Sequence, residues 1–121
     1  MGGTRFVGKY LVEALKAKGH HITLFTRGNL QIPGGVEHIK GDRKLKEDLG
    51  LLKGMSFDLI ADCSGRSLDD SRNVLEVCGP PLHRFLYVSS AGVYDRSSQW
   101  PLDENHPLDK ASRHLGKAET E

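Results

Sequence analysis

A run of glycines stands directly in front of an amphipathic pattern. Gly2-Gly3-Thr4-Arg5-Phe6-Val7-Gly8 leads into apolar residues spaced as Phe6, Val7, Tyr10, Leu11, Ala14 and Leu15. The spacing predicts a helix near residues 6 to 18, with Lys16 and Lys18 in a basic last turn and Gly19 at the C′ position. A dinucleotide-binding fold needs this order. Glycines let backbone N–H groups approach a pyrophosphate at a helix N-terminus, where the first amides lack intrahelical partners and the dipole is positive. Gly2, Gly3, Thr4, Arg5, Phe6 and Gly8 are therefore the first candidate binding residues, and a plain glycine-rich tail is the bland reading of the same stretch.

The rest of the chain alternates between the periods of strand and helix. A β-rich stretch, Ile22 to Thr26, closes on Arg27-Gly28-Asn29 and a Pro33-Gly34-Gly35 turn, and a short strand follows from Val36 to Ile39. Leu45, Leu49 and Leu52 restore a helical period, Phe57 to Ala61 reads as a buried parallel strand, and Ser67 with Asp70 has the form of a helix N-cap box. Phe85 to Ser89 is a further strand. This rhythm is that of an α/β fold, a Rossmann-type doubly wound parallel sheet. A glycine loop of this type leaves a strand, yet only Met1 precedes Gly2, so the first, central strand is expected to be missing and two sheet halves to have unpaired edges. The 121 residues are read as one partial NAD(P)-binding domain over 1–121, with the substrate lobe outside it.

Composition excludes some functions and leaves others to local patches. With 17 basic and 16 acidic side chains the net charge is +1, so no whole-chain field favours nucleic acid or an anionic membrane. Apolar runs fall far short of the roughly 20 residues that cross a bilayer, and no membrane partner is expected. Arg43, Lys44, Lys46 and Lys53 read as a solvated helix face, with an RNA footprint as the alternative. Cys63 and Cys78 lack metal spacing and are expected to be reduced and buried, with no metal site. His106 and His114 could form an acid/base pair for RNA cleavage, but isolated surface histidines are commoner.

Several segments carry a family resemblance. Tyr87-Val88-Ser89-Ser90-Ala91-Gly92-Val93-Tyr94 runs a strand into a Ser-Ser turn, Gly41-Asp42 and Ser64-Gly65 follow strands, and Ser112-Arg113-His114-Leu115-Gly116-Lys117-Ala118-Glu119-Thr120-Glu121 closes the chain. With the opening loop, these resemble the NAD(P)-dependent epimerase/dehydratase group of extended short-chain dehydrogenases, and within it the chloroplast stem-loop-binding protein family and its cyanobacterial relatives. The resemblance spans all 121 residues and roughly the first 40% of a two-lobed family member. Met1, Gly2, Arg5 and Gly8 occupy the Thr and three Gly positions of TGxxGxxG, so Arg5 departs from the pattern and is expected to contact phosphate through its guanidinium.

The resemblance implies roles at each strand end. Arg27, where NAD-preferring members place an acid, favours a 2′-phosphate and hence NADP, with NAD as the alternative cofactor and a solvated loop arginine as the bland reading. Asp42 approaches the adenine amino group or caps the next helix. Ser64, Gly65 and Ser89 lie beside the cofactor, and Ser90 takes the position of the substrate-orienting catalytic serine, or is a turn serine. Lys117 matches the lysine of the catalytic YxxxK helix, but the tyrosine position is Arg113, which stays protonated and cannot act as general acid/base. The implied protein is a dinucleotide-binding, redox-inactive relative with an RNA-associated role, cytoplasmic in a bacterium or stromal in a chloroplast. Its alternatives are an active nucleotide-sugar epimerase, dehydratase or reductase, and a fragment without activity of its own.

Overall fold

The computed structural model describes residues 1–95 and 101–111. Helix α1 spans Phe6–Ala17 and is followed by strand β1 (Thr23–Thr26), strand β2 (Glu37–Lys40), a short helix α2 (Lys46–Leu49) running into a 3₁₀ turn at Gly50–Leu52, strand β3 (Leu59–Asp62), helix α3 (Leu68–Cys78) and strand β4 (Arg84–Tyr87). The predicted order of elements is the observed one. The strand read at Phe57 to Ala61 lies two residues later at its start, since Phe57 and Asp58 accept backbone bonds from Leu82 and His83 in the approach to the ladder.

The strands form two parallel pairs. β1 runs beside β2 with Phe25 opposite Ile39, and β3 beside β4 with Ile60 opposite Phe85. Among the described residues, Met1 and Gly2 carry the backbone hydrogen bonds that join them. The Gly2 N–H donates to the Phe25 carbonyl at 3.2 Å, the Cys63 N–H donates to the Met1 carbonyl at 3.1 Å, and the Met1 ammonium donates to the Ala61 carbonyl at 2.8 Å. The order across the molecule is thus β2, β1, Met1-Gly2, β3, β4, with the position between β1 and β3 filled by strand-like pairing over two residues. Below them lies an apolar cavity bounded by Met1, Phe25, Leu59, Ile60, Ala61 and Val74.

Successive residues of β1 face opposite sides, as a pleated strand requires. Leu24 packs with Val12 of α1 and Ile22, while Phe25 packs with Leu49, Leu52, Ile60 and Val74. Helices therefore cover both faces, the doubly wound arrangement. Helix α1 ends as its sequence predicts: Gly19 takes φ 78°, and the His20 N–H reaches back to the Leu15 carbonyl at 3.1 Å. Its apolar arc is wider than its buried face. Gly8 and Val12 point inward, whereas Phe6, Val7 and Tyr10 are 84%, 59% and 76% exposed. Gly8 must meet the loop at Gly3, and that contact sets the helix's rotation. Helix α3 starts on Ser67, whose Oγ accepts from the Asp70 N–H at 3.4 Å.

Candidate dinucleotide-binding site

The glycine loop turns at Gly2 (φ 78°) and Gly3 (φ 105°), conformations in which a side chain would be strained. Space is equally restrictive. A Cβ on Gly3 would lie 2.8 Å from a Leu24 methyl, and one on Gly8 would lie 2.8 Å from the Gly3 Cα. Arg5 follows in extended backbone at the N-cap of α1, with its side chain exposed and making no capping bond. Phe6 then takes φ 43°, a left-handed conformation costing a non-glycine residue roughly 1–2 kcal/mol. The loop is held in shape by the approach of Gly8 to Gly3 and of Gly3 to Leu24 and Val12, and Arg5 and Phe6 are exposed beside half-buried Thr4.

The turn after β3 abuts this loop. A Cβ on Gly2 would stand 3.3 Å from Ser64 Cβ, and one on Gly8 3.4 Å from Cys63 Cβ. Gly65 is buried, with its carbonyl accepting from the Tyr87 hydroxyl at 3.2 Å. Gly2, Gly3, Gly8, Ser64 and Gly65 thus come together at the carboxyl ends of β1 and β3, the edge where open α/β sheets bind ligands.

The turn takes its shape from a residue that reading of the sequence passed over. Asp62, the last residue of β3, is 0% exposed. Arg43 grips it with both terminal nitrogens, at 2.6 and 2.8 Å, and the Ser64 and Gly65 N–H groups donate to the same carboxylate at 3.0 and 2.9 Å. Burial alone would raise the Asp62 carboxyl, but the bidentate Arg43 bond, its charge and the Ser64 amide outweigh it and hold the group below its ordinary value. Burial likewise acts to raise Asp70, and Lys44 with the Arg66 amide reverses it. The signal was a carboxylate at the end of the apolar run Leu59-Ile60-Ala61, where a charge needs a partner.

Arg43 is 8% exposed and so belongs to neither a solvated helix face nor an open RNA footprint, whereas Lys44 pairs with buried Asp70 while staying exposed. Lys46 and Lys53 remain exposed. The burial of Arg43 follows from its place in the turn before α2, where it reaches under α3 to the Asp70 carbonyl at 2.6 Å.

The other expected residues lie at neighbouring strand ends. Arg27 is exposed after β1, next to Gly28, over which the Lys40 stem packs at 3.4–3.5 Å from a would-be Cβ. Asp42 accepts from the Lys44 N–H at 3.0 Å and so shapes a turn, the N-cap of α2 being Leu45. Ser89 Oγ is buried without a hydrogen-bond partner among the described residues. Ser90 accepts from the Gly92 N–H at 3.2 Å, the turn-capping bond. No hydrogen bond joins Ser89 or Ser90 to the glycine loop among the described residues. Arg113, His114, Lys117 and Glu121 lie outside the described residues. His106 contacts the Asp95 carbonyl at 3.2 Å and packs edge-on against Tyr94.

Cys63 and Cys78 are free and half-buried, less enclosed than expected, and burial raises both thiols. No cluster of metal-ligating side chains occurs, and no helix is long and apolar enough to cross a membrane, among the described residues.

A glycine turn feeding a helix at the carboxyl edge of a parallel sheet covered on both faces defines a Rossmann-type α/β protein. The chain belongs to the NAD dependent epimerase/dehydratase family, whose model it matches over residues 1–114. It is 40% identical to the chloroplast stem-loop binding protein of 41 kDa b from Arabidopsis thaliana, over 100% of this chain and 36% of that protein. The chain thus spans about a third of that relative's length. Among solved structures it is similar in fold to an NAD-dependent NDP-hexosamine 5,6-dehydratase of tunicamycin biosynthesis (TM-score 0.68, 21% identity, 97% of this chain and 45% of that one). It is equally similar to the UDP-N-acetylglucosamine 4-epimerase of Bacillus cereus (TM-score 0.68, 21% identity, 98% of this chain and 47% of that one).

Proposed function

We propose that this chain binds a nicotinamide dinucleotide, NADP in preference to NAD, along the carboxyl edge of its sheet, and that it belongs to a redox-inactive protein with an RNA-associated role. The observation carrying the reading is the meeting of the Gly2–Gly8 loop with the turn after β3, so close that a Cβ added at Gly2 or Gly8 would press on the Cβ atoms of Ser64 or Cys63. The residues present suit the ligand. The loop offers the amides of a helix start to a pyrophosphate, and the unpartnered Ser89 Oγ offers a buried hydroxyl to a polar group. Arg27, with Lys40 beside its turn, supplies positive charge where a 2′-phosphate would lie.

A bound nicotinamide ring would supply hydride exchange. At the position where the family's general acid/base stands, Arg113 keeps its proton. Without that acid/base, Ser90, whose Oγ accepts from the Gly92 N–H, orients no reacting group, and Lys117 becomes a ribose-binding or structural lysine. The RNA-associated role and a chloroplast setting are supported by the similarity to the Arabidopsis chloroplast stem-loop binding protein, the stem loop being read as RNA. Exposed Arg5, Arg27, Lys40 and Arg66 supply cations for phosphates at this edge. Calorimetric titration with NADPH, followed by stem-loop RNA at rising salt, tests the reading. NADPH heat with one site per chain, and RNA binding that weakens with salt, are the expected results. No binding of NADPH sinks the cofactor reading, and no binding of RNA sinks the RNA-associated one.

A further inference from the structure

We propose that Arg43 is a positioning residue for the nucleotide site: through Asp62 it fixes the Ser64–Gly65 turn against the glycine loop and orients the Ser64 hydroxyl toward a ribose of the bound dinucleotide. The inference rests on the dinucleotide reading above.

Arg43 joins three separate parts of the chain. One terminal nitrogen donates to Asp62 at 2.6 Å and to Ser64 Oγ at 3.0 Å, and the other to Asp62 at 2.8 Å and to the Asp70 carbonyl at 2.6 Å. The end of β3, the turn after it and the first turn of α3 are thereby set by one planar group. A buried ion pair is a poor way to gain stability, because desolvating both charges offsets most of their attraction. Its directional bonds, in contrast, fix geometry, and here they are spent on the turn. Asp62 holds the consecutive N–H groups of Ser64 and Gly65, and Ser71 Oγ also donates to it at 3.4 Å.

The consequence reaches the ligand edge through Ser64. Its Oγ accepts from Arg43 at 3.0 Å and donates to Asp62 at 3.5 Å, the limit of a hydrogen bond. A ribose oxygen at ordinary hydrogen-bond distance would win the hydroxyl proton from so long a bond. Ser64 is exposed, and its Cβ stands 3.3 Å from where a Cβ on Gly2 would lie. A hydroxyl held there by a guanidinium is polarised as a donor and suits a ribose oxygen. Lysine at position 43 would keep the charge but lose the fork that holds Asp62 and Ser64 together.

The experiment compares the full chain with its Arg43→Lys, Ser64→Ala and doubly substituted forms, by NADPH calorimetry and by amide NMR of Gly2, Gly3 and Gly8. Arg43→Lys is expected to raise Kd about tenfold, the effect of misplacing one charge-assisted bond, and to shift the three glycine amides. Ser64→Ala is expected to raise Kd with no change in melting temperature, and the double substitution to be no worse than Arg43→Lys, since both act through one hydroxyl. A merely structural Arg43 would lower the number of binding-competent chains at unchanged Kd, and that result overturns the proposal. If Arg43→Lys does not fold, Ser64→Ala decides alone: an unchanged Kd overturns the proposal and a raised one supports it. Failure of the unsubstituted chain to bind NADPH overturns the dinucleotide reading and this proposal with it, a different outcome from binding that Ser64→Ala leaves intact.

Discussion

The Cys63 amide donates to the Met1 carbonyl at 3.1 Å, and with the Gly2–Phe25 bond beside it this contact ties the two parallel strand pairs into one layer. β1 and β3 otherwise present their inner edges to an apolar cavity bounded by Phe25, Ile60 and Val74.

That relationship predicts the effect of lengthening the chain. A form extended before Met1 by about six apolar, β-branched residues, enough for one strand, will pair with both inner edges. It should unfold more cooperatively and at higher urea than the 121-residue chain. Equal urea midpoints and slopes for the two forms would show that the cavity accepts no strand.

The Met1 ammonium makes a second, pH-dependent prediction. Burial holds its pKa below the ordinary 8.0, an effect that the charge of Asp62 only partly opposes. The unfolded chain therefore binds the proton more tightly, and stability should rise as pH is raised toward 8.0 and level off above it. Asp62 and Asp70 act at the other end of the scale: their folded pKa values lie below 3.8, so the stability they contribute is present above 3.8 and lost as pH falls through the folded values. Urea midpoints across this range check both limbs, and N-terminal acetylation should flatten the upper limb alone. A midpoint independent of pH between neutrality and 8.0 contradicts the first assignment.

Much of this was legible in the sequence because it rests on local patterns. The Gly19 helix stop, the Ser67 cap and the strand at Ile22 to Thr26 each depend on neighbours within a few residues. The Arg43–Asp62 pair was not legible, since it spans 19 positions and joins a turn to a strand end. A basic run that scores as a solvated surface hides one arginine pulled inward by a buried carboxylate. The exposure of Phe6 and Tyr10 escaped for a related reason: helical periodicity shows that an apolar arc exists, while the close approach of Gly8 to Gly3 decides which part of it is buried.

Gly8→Ala tests the loop itself. The added methyl would lie 2.8 Å from the Gly3 Cα, a backbone contact with no side chain to swing away. The substitution should cost about 1–3 kcal/mol, as overpacking does, and weaken NADPH binding along with it. A variant with wild-type urea stability and wild-type affinity would show that the loop is looser than its geometry.

Cofactor choice is tested at Arg27. NADPH should bind more tightly than NADH, and Arg27→Ala should remove the difference, because a charge-assisted contact to a 2′-phosphate contributes roughly 1.5–3 kcal/mol. Calorimetry on both forms, in the strand-extended chain if the shorter one proves too unstable, gives the comparison. Equal affinities in the unsubstituted protein would leave Arg27 a solvated loop residue.

The last prediction concerns chemistry. A protein carrying this segment together with a substrate lobe should show no hydride transfer to or from nucleotide sugars, because on the proposed reading Arg113 stands where the family places its general acid/base. A positioned acid/base contributes typically 10²–10⁴-fold, a margin visible in any comparison with an intact relative. Arginine cannot lend its proton within the usable pH range, and Lys117, four residues on, has no phenol whose pKa it could lower. Cofactor absorbance followed across a panel of nucleotide sugars, for the protein and its Arg113→Tyr form, provides the test. No signal in the former is the expected outcome, whatever the tyrosine restores. Turnover abolished by Ser90→Ala and by Lys117→Ala would mean that the site works as an enzyme with a different acid/base, while turnover surviving both would place the chemistry elsewhere in the protein.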